Sequence, residues 1–127
     1  MIAQILLADD NADITALLGD YLSRKGHRVI VVSDGVQLAQ KAVEHRPHLI
    51  VTDIKMPGSY GSSVYKVLQG DPKTNTIPII FMSAHEPERI AALLPVDPKT
   101  RFLKKPVDLK ELDALIAEML PLGGYCP

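Results

Sequence analysis

Two hydrophobic periods alternate along this chain, and that alternation limits its fold more than any other feature. Short β-favouring runs appear at Ile2–Ala8, Arg28–Val32, Leu49–Thr52, Ile79–Met82 and Arg101–Lys104. Most are apolar throughout, as expected of strands covered on both faces. Helical patterns lie between them. Ile14, Leu17, Leu18, Tyr21 and Leu22 fall at i, i+3, i+4, i+7 and i+8, and Gly26 then stands where a left-handed cap ends a helix. Val36, Ala39 and Val43 outline a second helix that stops before Pro47, and Val64, Val67 and Leu68 a third. Ile90, Leu93 and Leu94 mark a short fourth between Pro87 and Pro95. The fifth starts at Asp108 as N-cap, with Glu111 completing a capping-box pattern and Val107 and Leu112 placed as a hydrophobic staple. Five strands alternating with five helices predict an α/β fold, a parallel sheet wrapped on both faces by right-handed crossovers.

Composition narrows the class. A chain of 127 residues is one domain, and 46% hydrophobic with 23% charged residues is ordinary for a globular protein. The predicted domain covers residues 1–120, followed by a short Gly- and Pro-rich tail at 121–127. Lys plus Arg number 14 against 15 Asp plus Glu, so no global basic field points to nucleic acid. One cysteine, Cys126, excludes an internal disulfide and a cysteine-rich zinc site. The longest apolar run, Ile90 to Leu94, is far short of the roughly 20 residues that span a bilayer. Met1 to Asp10 lacks the features of a secretory signal, so the expected location is cytoplasmic, with no membrane partner.

Open α/β sheets bind ligands beyond the carboxyl ends of their strands. The first run leads into Asp9 and Asp10, the third into Asp53, the fourth into Ser83 and the fifth into Lys105-Pro106. Each residue alone has an ordinary structural use as a cap, a turn residue or a surface lysine. Their convergence from separate strands favours chemistry. Three carboxylates a few ångströms apart repel, and one lysine does not neutralise them. Lysine plus one divalent ion does, and an all-oxygen donor set without His or Cys suits Mg²⁺. Asp9 and Asp10 would hold the ion, and Asp53 could attack a phosphate and become an aspartyl phosphate. Lys105 and Ser83 would then contact phosphoryl oxygens.

These residues resemble the receiver domain of two-component response regulators. Leu6-Leu7-Ala8-Asp9-Asp10-Asn11 is similar to its first strand and acidic pair, and Val51 to Gly58 with Gly61 to its phosphoacceptor loop. Phe81-Met82-Ser83-Ala84 resembles the strand with the small hydroxyl residue, and Phe102-Leu103-Lys104-Lys105-Pro106 the Lys-Pro motif. Ser83 lies 30 residues after Asp53 and Lys105 lies 52 after it, spacings typical of that family. The resemblance implies a flavodoxin-like three-layer fold with strand order 2-1-3-4-5. It implies phosphoryl transfer to Asp53 from a sensor histidine kinase or histidine phosphotransfer protein. Mg²⁺ would be held by Asp9 or Asp10, by Asp53 and by the backbone carbonyl of Lys55, and Lys105-Pro106 would be cis. Activation would move Ser83 toward the phosphoryl group and turn the aromatic of the fifth strand inward. Here that aromatic is Phe102, which lacks the hydroxyl of the frequent tyrosine.

The face made by the fourth helix, fifth strand and fifth helix is the expected surface for a downstream protein. Lys55 and His85, each two residues past a site residue, are expected to tune the lifetime of the aspartyl phosphate. An aspartate-nucleophile phosphatase would need a second Asp where Lys55 stands. A receiver-like module that signals without phosphate is the alternative function, although such modules usually lose an acidic or lysine position retained here. His45-x-x-His48 has nothing nearby to complete a metal site, Ser63-x-x-Lys66 lacks the companions of a serine hydrolase motif, and no P-loop appears.

Overall fold

Parity within each strand explains the sheet. In a computed structural model that describes residues 3–56, 59–84 and 97–123, consecutive strand residues send their side chains to opposite faces. Ile5 and Leu7 join one buried cluster while Leu6 and Ala8 join the other, and Ile80 and Met82 divide likewise from Ile79 and Phe81. A strand buried on both sides must therefore be apolar at every position, which is the pattern of the five runs.

The elements follow in the order β1 (Gln4–Ala8), α1 (Ala12–Arg24), β2 (Arg28–Val32), α2 (Gly35–His45), β3 (Leu49–Asp53), β4 (Lys55–Met56), β5 (Ser59–Tyr60), α3 (Gly61–Gln69), β6 (Ile79–Ser83), β7 (Thr100–Lys104), α4 (Leu109–Met119) and a 3-10 helix (Leu120–Gly123). The main sheet has order β2-β1-β3-β6-β7, all parallel, so its five long strands run 2-1-3-4-5 in the flavodoxin-like manner. α1 and α4 supply Leu18, Leu22, Leu112, Ile116 and Met119 to one face. α2 and α3 supply Leu38, Ala42, Val64 and Leu68 to the other. Four α-helices lie among the described residues, and the fourth helix expected around Ile90–Leu94 lies outside them.

Local signals set the helix ends. Asn11 caps α1 by accepting the N–H groups of Asp13 and Ile14, and Gly26 beyond it takes a positive φ of 96°. Asp34 caps α2 through the Gln37 N–H, and Asp108 caps α4 through those of Lys110 and Glu111. Each side-chain oxygen satisfies donors that the first helical turn leaves open.

The helix stripes are wider than the core that they cover. In α2 the buried line is Gly35, Leu38 and Ala42, whereas Val36, expected to face inward with Ala39 and Val43, is 69% exposed. The helical period holds and its phase shifts by one residue, because a small glycine can sit closest to the sheet while a valine stands at the rim. Val67 of α3 faces Val36 across a shared groove, and Leu17 of α1 lines a cleft with Pro106, Val107 and Leu109.

Two further features add to the sequence pattern. The loop expected around Met56-Pro57-Gly58 begins and ends in a small antiparallel ribbon, with Lys55 opposite Tyr60 and Met56 opposite Ser59. The chain after α4 does not leave the domain at once. Leu120 is buried, and Gly123 approaches Pro78 so closely that a Cβ would lie 2.5 Å from its Cδ. Residues 124–127 lie outside the described residues.

Candidate functional site

Strand register brings the predicted residues to one edge. β1 and β3 pair Ala8 with Thr52, β3 and β6 pair Asp53 with Met82, and β6 and β7 pair Ser83 with Lys104. The residues just beyond or at these strand ends are Asp9, Asp53, Ser83 and Lys105. Asp9 is 2% exposed, Ser83 is equally buried, Asp53 is half-buried, and Asp10 is open to solvent.

Lysine 105 joins two of the carboxylates. Its Nζ donates to Asp9 Oδ2 at 2.9 Å and lies 3.3 Å from Asp53 Oδ2. The other Asp9 oxygen accepts the Asn11 N–H at 3.0 Å, and Asp53 Oδ1 receives the Lys55 N–H at 3.5 Å. The Lys105 N–H donates to the Ser83 carbonyl at 2.7 Å, and the following Lys105-Pro106 peptide bond is cis. The hydrogen bond to the Ser83 carbonyl docks the loop after β7 onto the end of β6, where the Lys105 ammonium meets the acidic group.

The electrostatics reflect this crowding. Burial pushes the Asp53 carboxyl above its usual range, and neighbouring Asp9 adds to the rise. The Lys105 charge and hydrogen bond and the Lys55 N–H act against it without cancelling it. Burial also pulls on the Lys105 ammonium, downward. The hydrogen bond that it donates to Asp9 and the charges of Asp53 and Asp9 outweigh it, so the ammonium is held above its ordinary value. The site therefore keeps a fixed positive charge beside a carboxylate that solvates poorly.

Asp9, Asp10 and Asp53 can each offer one oxygen within 4.8 Å of the others. Three hard oxygen donors and a single lysine leave negative charge over, which fits a divalent ion such as Mg²⁺. The histidine pair fits no such role. Nδ1 of His48 accepts the Gln4 N–H at 2.8 Å, at the opposite end of the sheet. Of the remaining candidates, Phe102 stacks on Phe81 with ring centroids 5.9 Å apart, Lys55 is exposed in β4, and His85 lies outside the described residues.

A model of the response regulator receiver domain matches residues 5–117. The chain belongs to the response regulator receiver domain family. The receiver is 34% identical to the transcriptional regulatory protein GltR of Pseudomonas aeruginosa over 119 residues, which cover 91% of this chain and 48% of GltR. It is 29% identical to the protein PilH of the same organism over 119 residues, covering 91% of this chain and 98% of PilH. The chain thus spans about half the length of GltR and of several other curated relatives that it matches. Among solved structures it is similar to the receiver domain of a Pseudomonas aeruginosa sensor histidine kinase, at 25% identity and a TM-score of 0.84. That match covers 95% of this chain and 99% of the other, and the kinase receiver has a magnesium ion coordinated in its active site cleft.

Two features of the receiver were not legible beforehand. Lys105 makes its shorter contact with Asp9, not Asp53, and no local pattern signals a pairing across 96 residues. The Tyr65 hydroxyl donates to Asp97 at 2.6 Å, joining α3 to the turn before β7, again without any periodic trace.

Proposed function

We propose that this receiver takes a phosphoryl group onto Asp53 from a phosphohistidine of a sensor histidine kinase or histidine phosphotransfer protein. The observation that carries this reading is the position of Asp53, half-buried at the sheet edge, with Lys105 at 3.3 Å and Asp9 and Asp10 grouped around it. An Asp53 carboxylate oxygen forms a bond to phosphorus as the phosphorus–nitrogen bond to the imidazole breaks. Lys105 stays protonated beside the entering group and balances the added negative charge on a phosphoryl oxygen. Ser83, at the end of β6, donates a hydrogen bond to another.

Asp9, Asp10, Asp53 and the Lys55 carbonyl would hold Mg²⁺, which supplies the positive charge that lets a phosphate approach three carboxylates. Lys55 and His85, each two residues past a site residue in the sequence, set how readily water reaches the acyl phosphate. The phosphorylated arrangement then alters Ser83 and Phe102 and, through the surface around β7 and α4, contact with a downstream protein. The reading includes neither direct nucleic-acid binding nor membrane insertion. No helix among the described residues is long and apolar enough to cross a membrane.

The test is intact mass after incubation with Mg²⁺ and acetyl phosphate, for wild type and Asp53→Ala. One added phosphoryl group in wild type, dependent on Mg²⁺ and absent from the variant, is the expected result. No gain in wild type, together with no Mg²⁺ binding, overturns the reading in favour of a phosphate-independent interaction module. Lys55→Ala and His85→Ala are expected to change the decay of the phosphorylated form, and unchanged decay removes their tuning role.

A further inference from the structure

Phe102 stands two residues into β7, on the same side of the strand as Thr100 and opposite Leu103, which belongs to the other core. Its ring stacks on Phe81, its register partner in β6. It is only partly buried, so the stack alone does not enclose it. The turn that delivers Phe102 is organised by Asp97. One oxygen of that carboxylate accepts the Lys99 N–H at 2.8 Å, and the Asp97 carbonyl accepts the Thr100 N–H at 3.0 Å. The second carboxylate oxygen takes the Tyr65 hydroxyl at 2.6 Å, the length of a charge-assisted bond.

Tyr65 packs against the same cluster as Phe102. Burial, then the hydrogen bond and charge of Asp97, push its phenol up to about 12, so the hydroxyl is the donor at ordinary pH. The buried Oγ1 of Thr100 has no hydrogen-bond partner among the described residues. Both ends of the link lead to the acidic edge. Tyr65 rides on α3, which starts directly after the ribbon that follows Asp53, and Phe102 precedes Lys105 by three residues.

We propose that the Tyr65–Asp97 hydrogen bond is a strap that holds the head of β7, and with it the Phe102–Phe81 stack, in the unphosphorylated arrangement. Tyr65 is a positioning residue in this scheme. It supplies from α3 a hydroxyl that Phe102 itself lacks, and the strap must loosen for Phe102 to move. The switching role rests on Asp53 being the phosphoacceptor, whereas the control of Phe102 position does not.

The chain has two phenylalanines, Phe81 and Phe102, so incorporation of 4-fluorophenylalanine reports on this stack with two fluorine resonances. Phe102→Leu assigns them. Tyr65→Phe adds a third resonance at position 65, told apart from that of Phe102 by combining it with Phe102→Leu; without phosphate, Tyr65→Phe is expected to shift the Phe102 resonance by more than a linewidth, in the direction that wild type takes on phosphorylation. Asp97→Asn, which keeps an oxygen for the Lys99 N–H, should shift it the same way by less. It also keeps the experiment decisive if Tyr65→Phe does not fold. A Phe102 resonance unmoved in both folded variants overturns the strap, and so does a shift away from the phosphorylated position. If wild type takes up no phosphoryl group, the phosphoacceptor reading and the switching role fall together, and the unphosphorylated spectra still decide whether Tyr65 positions Phe102.

Discussion

The two ends of the central sheet are built on opposite terms. At the carboxyl end, Asp9, Asp10 and Asp53 crowd around Lys105, and burial holds the Asp53 carboxyl above its normal range. At the amino end, backbone groups are closed by hydrogen bonds and close packing. His48 Nδ1 accepts the Gln4 N–H, the Ile50 N–H donates to Pro78, and Gly123 packs on the Pro78 ring. One end concentrates charge that water no longer stabilises, and the other concentrates close packing. Reactivity and strength are therefore separable along the strands, and substitutions should sort by the end at which they fall.

The largest expected effect sharpens this contrast at the charged end. Lys105→Met leaves buried Asp9 without its cation and should cost about 3–5 kcal/mol, as when one partner of a buried pair is removed. Added Mg²⁺ should restore more of the melting temperature in this variant than it adds in wild type. Equal Mg²⁺ shifts, read by calorimetry, would break the view that ion and lysine share one charge deficit.

At the packed end, Gly123→Ala forces a Cβ to within 2.5 Å of Pro78 unless the 3-10 helix moves. A loss of about 1–3 kcal/mol is expected, as for overpacking elsewhere, with unchanged phosphoryl uptake. An altered uptake would show that the two ends communicate.

Asp53→Asn should act in the opposite direction and raise stability at pH 7 in the absence of Mg²⁺. A carboxyl whose folded pKa is raised is disfavoured as the anion. Its destabilisation is therefore absent below the unfolded pKa and complete above the folded one. The gain over wild type should shrink as the pH falls toward 3.8. A gain that persists undiminished in acid would assign the effect to something other than charge burial.

The smallest effect lies away from both ends. The Tyr65 phenol, pushed up to about 12, favours the folded state while protonated, so its contribution is complete below pH 10 and lost as the pH rises toward 12. Urea melts of wild type and Tyr65→Phe should converge across that interval. Parallel curves would mean that Tyr65 ionises like a free phenol.

Much of this was legible in sequence because it is local or repeats with a short period. Runs such as Leu49–Val51 announce strands buried on both faces, and Asn11, Asp34 and Asp108 announce helix starts by satisfying open N–H groups. The motifs around Asp9, Asp53, Ser83 and Lys105 mark the family and name the residues that meet. Helix phase was less legible. A stripe at positions 36, 39 and 43 has the same period as one at 35, 38 and 42, and only the shape of the sheet selects between them.

What tertiary structure alone decided are the contacts between residues far apart in sequence. The preference of Lys105 for Asp9 depends on how the loop after β7 docks on the Ser83 carbonyl. The bond from Tyr65 to Asp97 depends on how α3 lies against the sheet, and the need for glycine at 123 depends on where Pro78 stands. Periodicity and capping act over a few residues, so a linear pattern carries them. A hydrogen bond spanning 32 residues or an ion pair spanning 96 exists only once packing has set the distance, and no local pattern encodes that distance.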